Sequence, residues 1–296
     1  MRLNLAAAIC LFSLATLWAS PSGAANMAAG APGSFVYTPP GYFADKPVAV
    51  YYYRPKSAGA DAEVLFAMHG AERDGKLTRD HWIGAADKLG FVVVAPEFDE
   101  DHYPTALYQN AGMGNADAAE RTSRIIEGLF DKVRTEEGLT AQTYKMFGHS
   151  AGGQFAHRMF LQGEHGRASI VVAANSGTYT MPYYPPASSG WRYPMVLTRD
   201  ALPPDALGRA FARRLVVLLG SDDVETSGKN VPSGREALAQ GANRLERGRK
   251  FCAVSERMAA ELQAKYNWVC GVVPGVGHNS RKMAKAALEF LFPAQQ

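Results

Sequence analysis

Tyr144-Lys145-Met146-Phe147-Gly148-His149-Ser150-Ala151-Gly152-Gly153 is the stretch that decides the reading of this chain. An apolar run of strand character leads into G-x-S-x-G and then into a small-residue helix start, which is the sequence shape of a nucleophile elbow. In such a bend the serine sits in a sharp, strained turn, and a side chain at Gly148 or Gly152 would crowd it. Ser150 is therefore expected to project its hydroxyl clear of a sheet, in the position of a nucleophile. Five residues alone are a weak signal; the strand before them and the helix after them supply the weight.

A serine nucleophile needs a base, and the base needs a group to orient it. Working outward toward the C-terminus, Arg214-Leu215-Val216-Val217-Leu218-Leu219-Gly220 reads as a buried strand running into Ser221-Asp222-Asp223. Trp268-Val269-Cys270-Gly271-Val272-Val273-Pro274 reads as another, followed by Gly275-Val276-Gly277-His278 and a helix. Parallel strands share one C-terminal edge, so Ser150, a carboxylate from Asp222 or Asp223, and His278 are expected to meet there. Along the chain the candidates fall in the order serine, acid, histidine. An oxyanion hole needs two backbone N–H donors. Ala151 supplies one, and Ala71, in the turn after the strand Val64-Leu65-Phe66-Ala67-Met68, supplies the other.

Each of these residues also has a bland reading. A serine between glycines is commonly a turn residue, Asp222 and Asp223 suit a solvated turn or a helix cap, and a lone histidine is more often structural. The shared strand-end placement favours the chemical reading. His69, His149 and His157 do not fall at a metal-ligand spacing, and Glu97, Asp99, Glu100 and Asp101 with His102 read as a solvated loop, so no metal is expected. Ser-His-Asp chemistry needs no cofactor.

The rest of the chain agrees. Residues 1–25 carry Arg2, an apolar run from Leu5 to Trp18, and small residues at Ser22, Gly23, Ala24 and Ala25, the layout of a secretory signal peptide. The run is too short for a stable membrane anchor, so the mature protein is expected to be secreted or periplasmic. Loss of Arg2 lowers the formal net charge from +3 to +2, and nothing in the balance points to nucleic acid. Residues 26–296, about 270 in all, have the length and apolar content of one catalytic domain. Strands are expected at Ser34 to Tyr37, Pro47 to Tyr53, Val64 to Met68, Gly90 to Ala95, Thr143 to Phe147, Ala168 to Ala174, Leu215 to Leu219 and Trp268 to Val273. The N-terminal part reads as all strand; helices then alternate, one capped by Asn115 with Ile125, Ile126, Leu129, Phe130 and Val133 inward, others starting near Ala151, within Arg235 to Lys265, and near Ser280. The last presents Met283, Ala287, Phe290 and Leu291 inward. An initial hairpin followed by such repeats makes a mostly parallel sheet with helices on both faces. Cys252 and Cys270 remain after the leader, and helix rise argues that their Cα atoms stand further apart than a disulfide allows, though an oxidising compartment leaves the bridge open.

Gly148-His149-Ser150-Ala151-Gly152, a later aspartate, His278, and His69-Gly70 after the third strand together resemble the α/β-hydrolase superfamily. Within it, Met68-His69-Gly70-Ala71, Ala95-Pro96-Glu97-Phe98 and Val273-Pro274-Gly275-Val276-Gly277-His278 resemble secreted serine esterases of the polyhydroxybutyrate-depolymerase and feruloyl-esterase-like branch. The resemblance implies an α/β class fold, the α/β-hydrolase fold, with a mostly parallel eight-stranded sheet. It also implies the spacing glycine, two residues, aspartate from Gly220, which selects Asp223 as the triad acid with Asp222 as the fallback. Branch members that attack solid polyester carry an added surface-binding domain; none is seen here, so crystalline polymer is not an expected substrate.

Between the sixth and seventh strands the chain turns rich in aromatics and proline: Tyr179, Met181, Pro182, Tyr183, Tyr184, Pro185, Pro186, Trp191 and Tyr193. In hydrolases of this architecture such an insertion overhangs the serine. Tyr179 and Trp191 are accordingly expected in the substrate pocket, with Tyr103 and Tyr108 reaching the same cleft, against the alternative of a stiff surface excursion. The expected activity is hydrolysis of carboxylic esters with short or aromatic acyl groups, including hydroxyalkanoate oligomers, with that small or oligomeric ester as the partner. The alternatives are an acyltransferase or peptidase on the same triad, and a non-catalytic binding protein on this fold.

Overall fold

The computed structural model describes residues 27–114, 117–163 and 166–293. The expected leader and the expected cap Asn115 lie outside the described residues. Eight strands form one sheet: β1 (Pro32–Tyr37), β2 (Val48–Tyr53), β3 (Val64–Met68), β4 (Val92–Glu97), β5 (Tyr144–His149), β6 (Ala168–Ala174), β7 (Leu215–Gly220) and β8 (Val269–Val273). Their order is β1-β2-β4-β3-β5-β6-β7-β8. β1, β2 and β4 pair antiparallel, and every later pairing is parallel. All eight expected strands are present, and the mostly parallel α/β-hydrolase sheet is the observed fold.

The period-two alternation of the strands divides the core into two layers. Phe66, Met68, Val94, Met146, Val171, Val217 and Leu219 face one way, against α3 (Ser123–Glu136), α4 (Ala151–Gln162), α5 (Pro204–Ala212) and α7 (Arg244–Glu261). Leu65, Ala67, Val93, Phe147, Val172, Val216 and Leu218 face the other way, against α2 (Ile83–Leu89) and α8 (Ser280–Leu291). The α3 face is the expected one, with Ile125, Ile126, Leu129, Phe130 and Val133 all buried. In α8, Met283, Ala284, Ala287 and Leu291 are buried, while Phe290 is half-exposed. Burying Met283 and Leu291 contributes about 2 kcal/mol each.

Several helices differ from the sequence reading. α3 begins at Ser123, with Thr122 at the cap position, later than a cap at Asn115 would allow. The connection between β3 and β4 holds α1 (Gly75–Asp80) as well as α2, so the N-terminal part is not all strand. Asp74 caps α1 by accepting from the Leu77 amide at 2.7 Å, and Gly90, at φ 77°, ends α2. Both helices are too short to show a periodic apolar face. α5 carried a legible signal, Pro204 in its first turn with Leu207 and Phe211 four residues apart, that the aromatic reading of this region obscured. Arg235 to Lys265 holds two helices, α6 (Arg235–Gln240) and α7.

Cys252 and Cys270 form a disulfide, with Cα atoms 6.3 Å apart. The helix-rise argument fails because β8 runs back alongside α7: the rise from Cys252 to the helix end is cancelled by the return of the chain.

Candidate active site

Ser150 sits between β5 and α4 at φ 57° and ψ −116°, a conformation that costs a non-glycine residue about 1–3 kcal/mol. The bend is held from both sides: the Ser150 amide donates to the Ala174 carbonyl at 2.9 Å, and the Gln154 amide donates to the Ser150 carbonyl at 3.0 Å. A Cβ on Gly148 would collide with the Gly152 carbonyl, and one on Gly152 with the carbonyls of Met68 and His69. Both glycines are thus required by close backbone approach, and the serine is forced up at the junction of β3, β5 and α4.

His278 reaches the same edge from the loop after β8. Its Nδ1 lies 2.8 Å from Oδ2 of Asp223, which stands just beyond β7. A carboxylate acceptor fixes the proton on Nδ1 and leaves Nε2 as the basic nitrogen. Asp222 turns outward, with its carboxylate 2.7 Å from the Ser221 hydroxyl, so the structure brings His278 to Asp223 rather than to the fallback. The Asp223 side chain is fully buried, and its other oxygen accepts from Nη1 of Arg244 at 3.0 Å.

The turn after β3 lies against the serine: a methyl on Gly70 would stand 3.9 Å from Ser150 Cβ. Ala71 and Ala151, the expected oxyanion donors, both line the cleft that contains Ser150. Ala151 is the first residue of α4, whose opening amides have no partner within the helix. His69 braces this turn. Its Nδ1 bonds to the Gly70 carbonyl at 2.8 Å and its Nε2 accepts from the Phe98 amide at 3.0 Å. Burial pushes the imidazole down to about 3, with Arg73 adding to the shift and the Gly70 bond opposing it, so His69 is a neutral strut. His149 lies against His278 with ring centroids 4.5 Å apart and the planes tilted by 42°, and burial first, then His278 and Arg244, holds it well below the ordinary histidine range.

The cleft has a volume of about 440 Å³ and a mixed lining: Thr105, Gln109, Asn110, Gln154, Thr178 and Asn230 stand beside Ser150 together with Met195, Val231 and Pro232. Larger depressions, of about 520 and 610 Å³, lie elsewhere and contain none of these residues. The expected aromatic pocket is corrected by this arrangement. Tyr179 is fully buried, stacked on Phe251 at 4.7 Å, and belongs to the core. Trp191 lines a separate depression of about 210 Å³ that shares Met195 and Glu236 with the cleft. Tyr103 and Tyr108 are also fully buried; their hydroxyls donate to the carbonyls of Lys46 and His69, both at 2.6 Å. Tyr179, Tyr103 and Tyr108 are core rings, since large rings gain most by burial, whereas Tyr183, Tyr184, Trp191 and Tyr193 are half-buried.

Two residues of the site were missed in the sequence. Arg244 opens a helix and has no local pattern that announces a partner far along the chain. Asn175, at φ 46° just after β6, accepts from the Gly220 amide at 2.7 Å and donates to the Gly277 carbonyl at 3.2 Å. It thereby ties the loop carrying Asp223 to the loop carrying His278. An Asn-Ser-Gly sequence after a buried strand hints at an unusual backbone there, though not at the bonds it makes.

No family model matches the sequence, and no curated protein matches it. Among solved structures, poly(aspartic acid) hydrolase-1 from Sphingomonas sp. KT-1 superposes with a TM-score of 0.82 and 33% identity, over 90% of this chain and 100% of that one. The poly(3-hydroxybutyrate) depolymerase from Bordetella parapertussis gives a TM-score of 0.83 and 31% identity over 90% of each chain. This chain belongs to the α/β-hydrolase superfamily. It is a hydrolase, and its place in that superfamily fits the depolymerase-like branch that the sequence resembles. An acetyl xylan esterase from Aspergillus awamori, at a TM-score of 0.59 and 12% identity over 90% of this chain and 100% of that one, shares the fold alone.

Proposed function

We propose that this hydrolase is a secreted or periplasmic serine esterase that cleaves carboxylic esters through an acyl-enzyme on Ser150. The reading rests on one observation: a serine in a strained elbow and a histidine hydrogen-bonded to a buried aspartate stand at the same sheet edge. His278 Nε2 takes the proton of the Ser150 hydroxyl as the oxygen attacks the ester carbonyl. The Ala71 and Ala151 amides stabilise the oxyanion. The imidazolium, held in orientation by Asp223, gives the proton to the departing alkoxide, and water releases the acid by the same steps in reverse order. Among the described residues no helix is long and apolar enough to cross a membrane.

The cleft has no aromatic side chain in its lining and offers Gln109, Gln154, Thr178 and Asn230 as hydrogen-bonding partners, which favours short acyl groups bearing oxygen over aromatic ones and makes hydroxyalkanoate oligomers the preferred substrate class. The relative named as a poly(3-hydroxybutyrate) depolymerase supports that choice. The relative named as a poly(aspartic acid) hydrolase keeps amide cleavage on the same triad as the second reading. Ser150→Ala is expected to lower kcat on p-nitrophenyl butyrate by about 10⁶, the scale of losing a triad serine. A fluorophosphonate probe should label the wild-type protein and not the variant; labelling of both, or unchanged turnover, would overturn the assignment.

A further inference from the structure

Two fully buried arginines, Arg158 and Arg247, and the half-buried Arg73 stand around the cleft with no carboxylate in direct contact, while Glu246 acts on Arg247 and Asp99 and Glu100 on Arg73 from further away. Arg158, on α4, is fully buried, and its guanidinium donates to neutral groups: the Gln109 carbonyl at 2.8 Å, Thr178 Oγ1 at 3.1 Å and Thr180 Oγ1 at 3.1 Å. Gln109 and Thr178 line the cleft, so this cation stands directly behind its wall. Arg247, also fully buried, donates to the carbonyls of Gly177 and Pro232, both at 2.8 Å, and Pro232 lines the cleft as well. Arg73 donates to the Phe98 carbonyl at 2.6 Å and to Gln109 Oε1 at 3.3 Å. Both carbonyl oxygens of Gln109 are thereby turned onto cations.

Among the described residues, none of these three arginines makes an ion pair, in contrast to Arg244, which is paired with Asp223 at 3.0 Å. Burial pushes the Arg158 guanidinium down to about 9, which still leaves it charged at neutral pH. The ionisable groups lining the cleft itself are Lys229 and Glu236, which offset each other. A guanidinium buried without a counter-ion is costly, and packing or hydrogen bonding at these positions does not require a charge. Low-dielectric walls also focus the field of such charges into the cleft they enclose.

We propose that the cleft selects a substrate carrying a carboxylate beside the scissile bond, an anionic ester such as the acid end of a short oligoester. The proposal rests on the esterase reading of Ser150. It takes the missing counter-ion of the wall to be the substrate.

Two matched pairs of esters test it. Mono-p-nitrophenyl succinate and its methyl ester place the charge on the acyl side; 3-acetoxybutanoate and its methyl ester place it on the alcohol side. At low ionic strength, kcat/KM for the anionic member of at least one pair should exceed that of its neutral partner by about tenfold or more, the scale of a single charge felt across a protein wall. The pair that shows the preference tells which side is read. Added salt should shrink the preference. Arg158→Met, which keeps the bulk and removes the charge, should reduce it at least about threefold, and Lys229→Met, at an exposed position that tolerates change, provides a second reduction should Arg158→Met fail to fold. Equal rates within both pairs, or preference for the neutral members, would overturn the proposal while leaving the esterase reading intact. So would a preference that neither salt nor either variant moves. Failure to hydrolyse any of the four, with no fluorophosphonate labelling, would remove both.

Discussion

The two sides of the cleft are held by different means. On the side of the strand ends, backbone touches backbone: the Asp222 amide donates to the Val276 carbonyl at 3.0 Å, the Ser221 amide to the Val273 carbonyl at 3.0 Å, and Gly220 lies so close to the Val276 carbonyl that a Cβ would collide with it. On the opposite side, the segment from Thr178 to Leu202 hangs on side chains. Gln240 bonds both the amide and the carbonyl of Tyr179 at 2.8 Å, His157 accepts from the Thr180 amide at 3.1 Å, and Arg158 holds Thr178 and Thr180. The first side fixes the positions of Ser150, Asp223 and His278 mainly through strand register and glycine, with the Asn175 side chain tying its two loops. The second side can change shape whenever a remote side chain changes, which suits a wall that defines substrate rather than chemistry.

The largest effect that would sharpen this contrast, beyond Ser150 itself, is at the acid. Asp223→Asn keeps the shape but removes the acceptor that sets the His278 tautomer, and should lower kcat by about 10⁴. Asp222→Asn should be mild, because its carboxylate meets only the Ser221 hydroxyl among the hydrogen bonds seen at that turn. Steady-state kinetics with a short p-nitrophenyl ester check the ranking, and the reverse order would break the geometric assignment.

Acid should loosen both sides together. His69 and His149 belong to the backbone-held side and His157 to the other, and burial is the first cause lowering each of the three. The unfolded chain takes up protons at the ordinary histidine value of about 6.5, so below that pH it binds more protons than the native state. Stability is thus present in full above about pH 6.5 and falls as pH drops, with a slope of up to about 1.4 kcal/mol per unit for each histidine and about 4 for three. Urea midpoints at pH 7.5, 6 and 5 should decline steeply; a flat midpoint would show that these histidines do not carry the acid sensitivity.

Asn175→Ala tests the tie between the acid and histidine loops. It strands the Gly220 amide and should cost about 1–3 kcal/mol in stability. If the tie also positions Asp223 against His278, kcat should fall by about tenfold with KM little changed, a split that loss of stability alone would not produce. Smallest of all, Trp191→Ala should change kcat/KM for a short ester by less than about twofold, because Trp191 lines the neighbouring depression and not the cleft around Ser150. A large and ester-specific loss would return that aromatic to the substrate path.

Much of the backbone-held side was legible in the residues. The strand that enters Gly148-His149-Ser150, the carboxylates after Gly220 and the histidine after Gly277 are local patterns, and parallel pairing alone carries them to one edge. The choice of Asp223 over Asp222 followed from a family spacing, and the 2.8 Å contact with His278 agrees with it. The other side was misread for a physical reason. Tyr179, Tyr103 and Tyr108 are amphipathic rings, equally at home lining a pocket or filling a core, and only the positions of Phe251, Lys46 and His69 determine which.

Sequence alone therefore determined the strand succession, the elbow and the order of serine, acid and histidine, because strand period, glycine sterics and chain direction act within a few residues. Tertiary structure decided what the cleft is made of. The disulfide, the partners of Asp223, and the burial of Arg158 and Arg247 all join residues brought together by packing. No local pattern encodes which buried charge will find a counter-ion and which will be held by neutral groups alone.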